Sequence, residues 1–167
     1  MTKVLITGGC GFIGSHLVEF LSNDNFEVSV FDKYNINDSY GWLDSYKYKK
    51  EIDFYMADIR DFDAVEKSIK DKDIVIHLAA LIGIPYSYYS PLAYINTNIV
   101  GTYNVLESCK KLNTKQLIVT STSEVYGSAL YTPIDEKHPI QAQSPYSASK
   151  SSADNLAISY HKSFGLP

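Results

Sequence analysis

The 167-residue chain has only two cysteines, Cys10 and Cys109. Two thiols make no disulfide framework, and such sparing use fits a reducing, cytoplasmic setting. The four histidines, His16, His77, His138 and His161, show no metal-ligand spacing, so no metal site is expected. Basic charge is not in excess: 15 Lys and Arg stand against 19 Asp and Glu, a formal net charge of −4. That balance argues against nucleic-acid binding through a basic surface. No apolar run approaches the roughly 20 residues of a membrane helix. Residues 1–3 lead straight into Val4-Leu5-Ile6, so no signal peptide is expected. Internal repeats and low-complexity tracts are also missing. What is present is ordinary for a folded protein, with 45% hydrophobic and 20% charged residues. At about 150 residues per domain, the length fits one domain. A chain of this size buries about two thirds of its unfolded surface, enough for a core without staples.

Short β-branched runs alternate with longer helical periods. Residues 3–7, 27–32, 52–56, 74–78 and 116–121 read as strands, and 12–22, 61–70, 91–112 and 144–164 as helices. The first helix carries Ile13, Leu17, Phe20 and Leu21 as an apolar stripe, the second Val65 and Ile69. The third carries Leu92, Ile95, Ile99, Tyr103 and Leu106. Ser144 suits an N-cap, Pro145 the first helical position and Gly165 the stop. Alternation of this kind builds βαβ crossovers and a parallel sheet covered on both faces. Two irregular stretches, 33–50 and 122–143, follow carboxyl ends of strands, where α/β proteins place ligands.

The first strand runs into Thr7-Gly8-Gly9-Cys10-Gly11-Phe12-Ile13-Gly14 and then a helix. A tight turn, the approach of a pyrophosphate to the backbone, and close helix–strand packing each demand a glycine. The helix N-terminus then holds the anion through free N–H groups and its dipole. Asp32 ends the second strand, in the region where ribose recognition is expected. A carboxylate there accepts from ribose hydroxyls and repels a 2′-phosphate, which favours NAD over NADP; the adjacent Lys33 pulls the other way. Asp58-Ile59 ends the third strand, where the acid either meets the adenine amino group or caps the next helix. His77-Leu78-Ala79-Ala80 ends the fourth strand in small residues that leave room for a ligand, with His77 read as a packed structural histidine.

The fifth strand opens into Thr120-Ser121-Thr122-Ser123-Glu124-Val125-Tyr126-Gly127, and the last helix begins Ser144-Pro145-Tyr146-Ser147-Ala148-Ser149-Lys150. Tyr146 and Lys150 stand at i and i+4, one turn apart on one face. A nearby cation favours phenolate over phenol, making a tyrosine a usable base. The Thr122 hydroxyl is in reach to bond the same oxygen and orient a sugar.

Taken together, these segments resemble the extended short-chain dehydrogenase/reductases, the NAD-dependent epimerase/dehydratase group acting on nucleotide sugars. The resemblance runs from Lys3 to Pro167 and includes Asn98-Ile99-Val100-Gly101-Thr102. It implies a Rossmann-type doubly wound parallel sheet in three α/β/α layers. It also implies NAD held by Gly8, Gly11, Phe12, Ile13, Gly14, Asp32, Lys33, Asp58, Ile59, Leu78, Ala79, Ala80, Asn98, Thr120, Tyr146 and Lys150. Asn98 would lie beneath the active site and hold its water and backbone network. Thr122-Ser123-Glu124 resembles the Thr-Asp-Glu triplet of 4,6-dehydratases with Ser for Asp. Residues 41–44, 78–91 and 133–150 resemble 4,6-dehydratases of legionaminic-acid synthesis, which act on nucleotide-linked N-acetylglucosamine.

The implied reaction is a lyase reaction with Thr122, Ser123, Glu124, Tyr146 and Lys150 as its catalytic set. Tyr146 would take the 4-hydroxyl proton during oxidation at C4. Glu124 would take the C5 proton and help expel the C6 hydroxyl, serving twice or aided by a water because Ser123 replaces the acid. Ile84, Ser87 and Tyr88 are candidate sugar contacts, though the aromatics of 84–89 equally suit a core or an interface. Residues 33–50 would touch adenosine or a neighbouring subunit. The helices 91–112 and 144–164 would form a dimer's four-helix bundle. Relatives continue past a Phe-Gly-Leu-Pro stretch into another strand and a nucleotide-sugar clamp. Residues 1–167 would therefore be the NAD-binding unit, with an exposed fifth-strand edge and activity not implied for this chain alone. Alternatives are a UDP-glucuronate decarboxylase, a UDP-sugar 4-epimerase on the same scaffold, or an inactive NAD-binding fragment or sensor.

Overall fold

The computed structural model describes residues 1–33, 39–47 and 49–167. The expected loop 33–50 therefore lies partly outside the described residues. Five strands, β1 (Thr2–Thr7), β2 (Phe26–Asp32), β3 (Asp53–Met56), β4 (Ile74–His77) and β5 (Gln116–Val119), form one sheet in the order β3-β2-β1-β4-β5. Every pairing is parallel, with Thr7 opposite Phe31 on one side and His77 on the other. Parallel neighbours require crossovers, and these are made by α1 (Phe12–Asn23), α2 (Phe62–Ile69) and α5 (Gly101–Leu112). The last helix is α6 (Pro145–Phe164); α3 (Ile84–Tyr89) and α4 (Pro91–Tyr94) are short.

Period two along β1 sends alternate side chains to opposite faces of the sheet. Val4 and Ile6 join Val28, Val30, Val18 of α1, Leu43 and Ile52 in one core cluster. Leu5 joins Phe31, Val75, Val65 and Ile69 of α2, Val105 and Leu106 of α5, and Tyr160 of α6 in the other. The sheet is thus buried on both faces, and each fully buried aliphatic side chain contributes about 1.5–3 kcal/mol.

Local signals set the helix ends. Asp61 caps α2, its carboxylate accepting from Ala64 N–H at 3.2 Å. Ser144 caps α6 in a reciprocal box with Ser147, Pro145 takes the first position, and Gly165 ends the helix in the left-handed region. Strand ends are shorter than their apolar runs suggest: Ile52, Leu78, Thr120 and Ser121 lie outside the strands. The sequence stripe on α1 is displaced. Ile13 and Phe20 are exposed, and Gly14, Ser15 and Val18 face inward. A glycine on the inner face lets the helix lie too close to the sheet for larger residues there.

The expected helix 91–112 is continuous but not uniform. Between α4 and α5, Ile95–Val100 winds as a π-helix, with the buried Asn98 inside it. Of its apolar stripe only Leu106 is buried; Leu92, Ile95 and Tyr103 are exposed. The extra residue in the π turn rotates the two halves relative to one another, so one 3.6-residue stripe does not describe both. The edge strand β5 accepts a neighbour: Leu117 N–H donates to Pro167 O at 2.9 Å, and Leu166 is buried.

A Cβ at Gly14 would lie 2.2 Å from Gly8 O, a backbone atom with no freedom to yield. Gly14→Ala is therefore expected to lower unfolding stability by about 1–3 kcal/mol in urea titration. The exposed Phe20→Ala should change it by less than about 0.5 kcal/mol.

Candidate active site

The order β3-β2-β1-β4-β5 reverses direction between β1 and β4, and a crevice opens beyond their carboxyl ends. The loop after β1 forms its floor. Gly8 has φ +74, and a Cβ there would meet Ala79 N at 2.8 Å, so the two chain turns touch through backbone. Gly8 N–H donates to Phe31 O and Gly11 N–H to Gly8 O, which fixes the turn. Helix α1 starts at Gly11 with no side-chain cap, leaving its first-turn N–H groups open to an anion. Phe12 and Ile13 project outward from that turn.

At the end of β2, Asp32 accepts from Cys10 N–H and, with its other oxygen, from Lys33 N–H, both at 2.7 Å. The carboxylate is thus held rigidly at the loop, and each oxygen keeps a further lone pair for a hydroxyl donor. Burial, then the Asp32 charge, pushes the Cys10 thiol up to about 12, so it stays protonated and inert. Asp58 is gripped by Arg60 through Nε at 2.8 Å and Nη2 at 2.6 Å, with Lys33 Nζ at 3.8 Å. Arg60 foremost holds the Asp58 carboxyl down at about 2. The capping alternative for Asp58 is removed, because Asp61 caps α2. Ile59 belongs to the core: it is buried, packs under Gly101, and its carbonyl accepts from Asn104.

A hydrogen-bonded chain fastens the crevice. Ala79 N–H donates to Thr7 Oγ1, which stands 2.7 Å from His77 Nδ1. His77 Nε2 is 3.0 Å from Thr102 Oγ1, which donates onward to Asn98 O at 2.6 Å. Thr102 has committed its proton, so Nε2 carries the imidazole hydrogen and Nδ1 accepts from Thr7. Asn98 brackets Leu81, accepting from its N–H and donating to its carbonyl, and also donates to Ser149. Ser149 donates to Tyr146 O. The histidine read as structural is structural, and Asn98 lies where the resemblance put it.

Tyr146 and Lys150 rise from the first turns of α6. Both are buried; the Tyr146 ring meets Tyr94 edge-on at 6.0 Å. Lys150 Nζ donates to Thr120 O at 2.7 Å, tying the helix to the end of β5. Burial pulls the Lys150 amine below its ordinary value, with Asp154 opposing. Thr122 caps a short 3₁₀ turn, Ser123–Tyr126, by accepting from Glu124 N–H. Its hydroxyl therefore positions Glu124 as well as facing the crevice end of β5. Glu124, Ile84 and Tyr88 line a cleft of about 250 Å³ with Gly127, Ser128, Gln143, Ser144 and Ser147. Ser87 does not: it is buried and donates to Ile84 O. Leu78, Ala79 and Ala80 follow β4 at the crevice, Leu78 held by Thr7 O. Gln143, Ser128 and Ser147 were not singled out from sequence; the signal was Gln143 three residues before Tyr146. A larger hollow of about 520 Å³ against Phe12 and Trp42 contains none of the catalytic set. Among the described residues no cluster of His, Cys, Asp and Glu forms a metal site, and no helix is long and apolar enough to cross a membrane.

His77 is fully buried, and burial, then Lys150, holds its pKa down at about 3 against an ordinary 6.5. The unfolded chain therefore takes up this proton first, and stability falls as pH drops from 6.5 toward 3. At pH 5 this single group is expected to cost about 2 kcal/mol. Melting curves from neutral to acid pH check it, since His77→Gln should follow a flatter profile.

The family model described as GDP-mannose 4,6 dehydratase matches residues 5–167. A dTDP-D-glucose 4,6-dehydratase of Dictyostelium discoideum is 39% identical over 99% of this chain and 42% of its own length. The dTDP-glucose 4,6-dehydratase DesIV of Streptomyces venezuelae, solved with NAD and TYD bound, superposes with TM-score 0.91 at 31% identity. It is covered over 53% of its length by 99% of this chain. A UDP-N-acetylglucosamine 4-epimerase of Methanobrevibacter ruminantium, in complex with UDP-N-acetylmuramic acid, gives TM-score 0.88 at 38% identity. Coverage is 99% of this chain and 52% of that one. The chain spans about half the length of the relatives it matches. With its Rossmann-type sheet, glycine turn and Tyr146–Lys150 pair, the chain belongs to the NAD-dependent epimerase/dehydratase family, in the branch whose model is GDP-mannose 4,6-dehydratase.

Proposed function

We propose that the chain binds NAD and carries the catalytic half of a nucleotide-sugar 4,6-dehydratase of the GDP- or UDP-N-acetylglucosamine type, as in legionaminic-acid synthesis. The observation that carries the reading is the placement of Glu124. It lines the same cleft as the start of α6, in a turn held by Thr122, on the scaffold that presents Tyr146 and Lys150. The residues present fit NAD: a backbone cradle that a Cβ at Gly8 would obstruct, an uncapped helix start, and a fixed Asp32 carboxylate. When bound, NAD supplies the hydride acceptor for C4 and the donor for C6.

The chain's own residues do the rest. Tyr146 takes the 4-hydroxyl proton, and the Lys150 cation stabilises the phenolate that results. Lys150 also holds the nicotinamide ribose, its reach set by Thr120 O. The 4-keto group acidifies the C5 proton, which Glu124 removes. Glu124 returns a proton to the departing C6 hydroxyl, the role of the missing acid at Ser123. Ile84 and Tyr88 shield the cleft on the sugar side. We extend the proposal to pairing of two copies through a four-helix bundle, supported by the exposed Leu92, Ile95 and Tyr103. The 38% identity to a UDP-N-acetylglucosamine 4-epimerase favours a 4-epimerase as the second reading.

Glu124→Gln is expected to bind NAD as the wild type does while slowing water elimination by about 10²–10⁴-fold. NAD titration and product analysis with GDP- and UDP-N-acetylglucosamine check this, and normal elimination by the variant would remove the assignment. Tyr146→Phe should stop the oxidation itself, read as no reduced-nicotinamide absorbance in a single turnover.

A further inference from the structure

Lys150 poses a physical difficulty. Its ammonium is largely withdrawn from water, and its printed hydrogen-bond partner is a neutral carbonyl, Thr120 O at 2.7 Å. A desolvated ammonium tends to lose its proton, and a neutral amine would not stabilise a phenolate. The structure supplies a compensating group one turn further on. Tyr146, Lys150 and Asp154 follow one another at i, i+4 and i+8 on α6. Asp154 makes no ion pair with Lys150 among the described residues. Its carboxylate instead accepts a short hydrogen bond from Ser121 Oγ, the residue after Thr120. Adjacent residues at the end of β5 therefore hold adjacent turns of α6, Thr120 taking Lys150 and Ser121 taking Asp154.

We infer that Asp154 is a positioning residue for Lys150: anchored by Ser121, its fixed negative charge keeps the buried ammonium protonated and α6 docked to β5. The titratable groups acting on Lys150 are Asp154 from its own helix and His77 from β4, with Tyr146 one turn before it. His77 is neutral, as its burial requires, so Asp154 is the charge that offsets the desolvation of Lys150. The consequence for catalysis rests on the function proposed above; the consequence for Lys150 itself does not.

The test is a carbon-detected NMR titration of the lysine side chains in the whole 167-residue chain, with Lys150→Arg used only to assign the Lys150 signal. Asp154→Asn should lower the Lys150 midpoint beyond replicate error, and Asp154→Glu should restore it. Ser121→Ala, which keeps the carboxylate but frees it, should lower the midpoint by less. Circular dichroism verifies the fold of each variant, and the Ser121→Ala arm decides if Asp154→Asn does not fold. Folded variants whose Lys150 titration overlays the wild type would overturn the inference. An unmoved Lys150 midpoint with NAD still bound removes only the role of Asp154. Failure of the wild-type chain to bind NAD removes the proposed function and leaves the lysine result standing.

Discussion

The parallel pairing of β1 with β4, in the register that sets Thr7 beside His77, is the constraint on which the rest depends. It places the end of β1 against the end of β4 with nothing larger than a glycine between the turns that follow. A Cβ at Gly8 would strike Ala79 N, so the crevice exists only because two backbones meet without side chains. The neutral His77 then closes the seam with hydrogen bonds to both neighbours, Thr7 and Thr102. Leaving such a buried imidazole unsatisfied or charged costs more than any surface contact nearby returns.

From that seam the order spreads outward in hydrogen bonds rather than in apolar contacts. Thr102 fixes Asn98, Asn98 fixes Leu81 and Ser149, and Ser149 reaches the carbonyl of Tyr146. The π turn at Ile95–Val100 is what lets Asn98 face inward between β4 and α6. A π turn set within a long helix often marks a functional position, and here it aims one amide at the loop beside the crevice. Two further bonds, from Lys150 and from Ser121, tie the catalytic helix to β5.

Much of this was legible in the sequence, because the signals were local. The glycine spacing announced the turn, Ser144-Pro145 announced the helix start, and the alternation of runs announced a doubly wound sheet. The inaccurate readings share one physical cause: a single-period stripe cannot report what lies beside it. Ile13 and Phe20 fit the α1 stripe yet face outward, since Gly14 brings the helix onto the sheet at a different angle. Ile59, expected near a ligand, is core because Gly101 leaves a hole for it. Ser87, expected at the sugar, spends its hydroxyl on its own helix. Asp154 and Gln143 carried no sequence signal of their own, since their meaning lies in partners 33 and 15 residues away.

Placing Glu124 in the cleft beside the Tyr146 helix separates elimination from simple inversion at C4. The direct measurement is a turnover with nucleotide-linked N-acetylglucosamine carrying deuterium at C4. A dehydratase predicts loss of one water and a product with deuterium at C6. A product of unchanged mass that keeps its deuterium at C4 with inverted configuration would contradict the account.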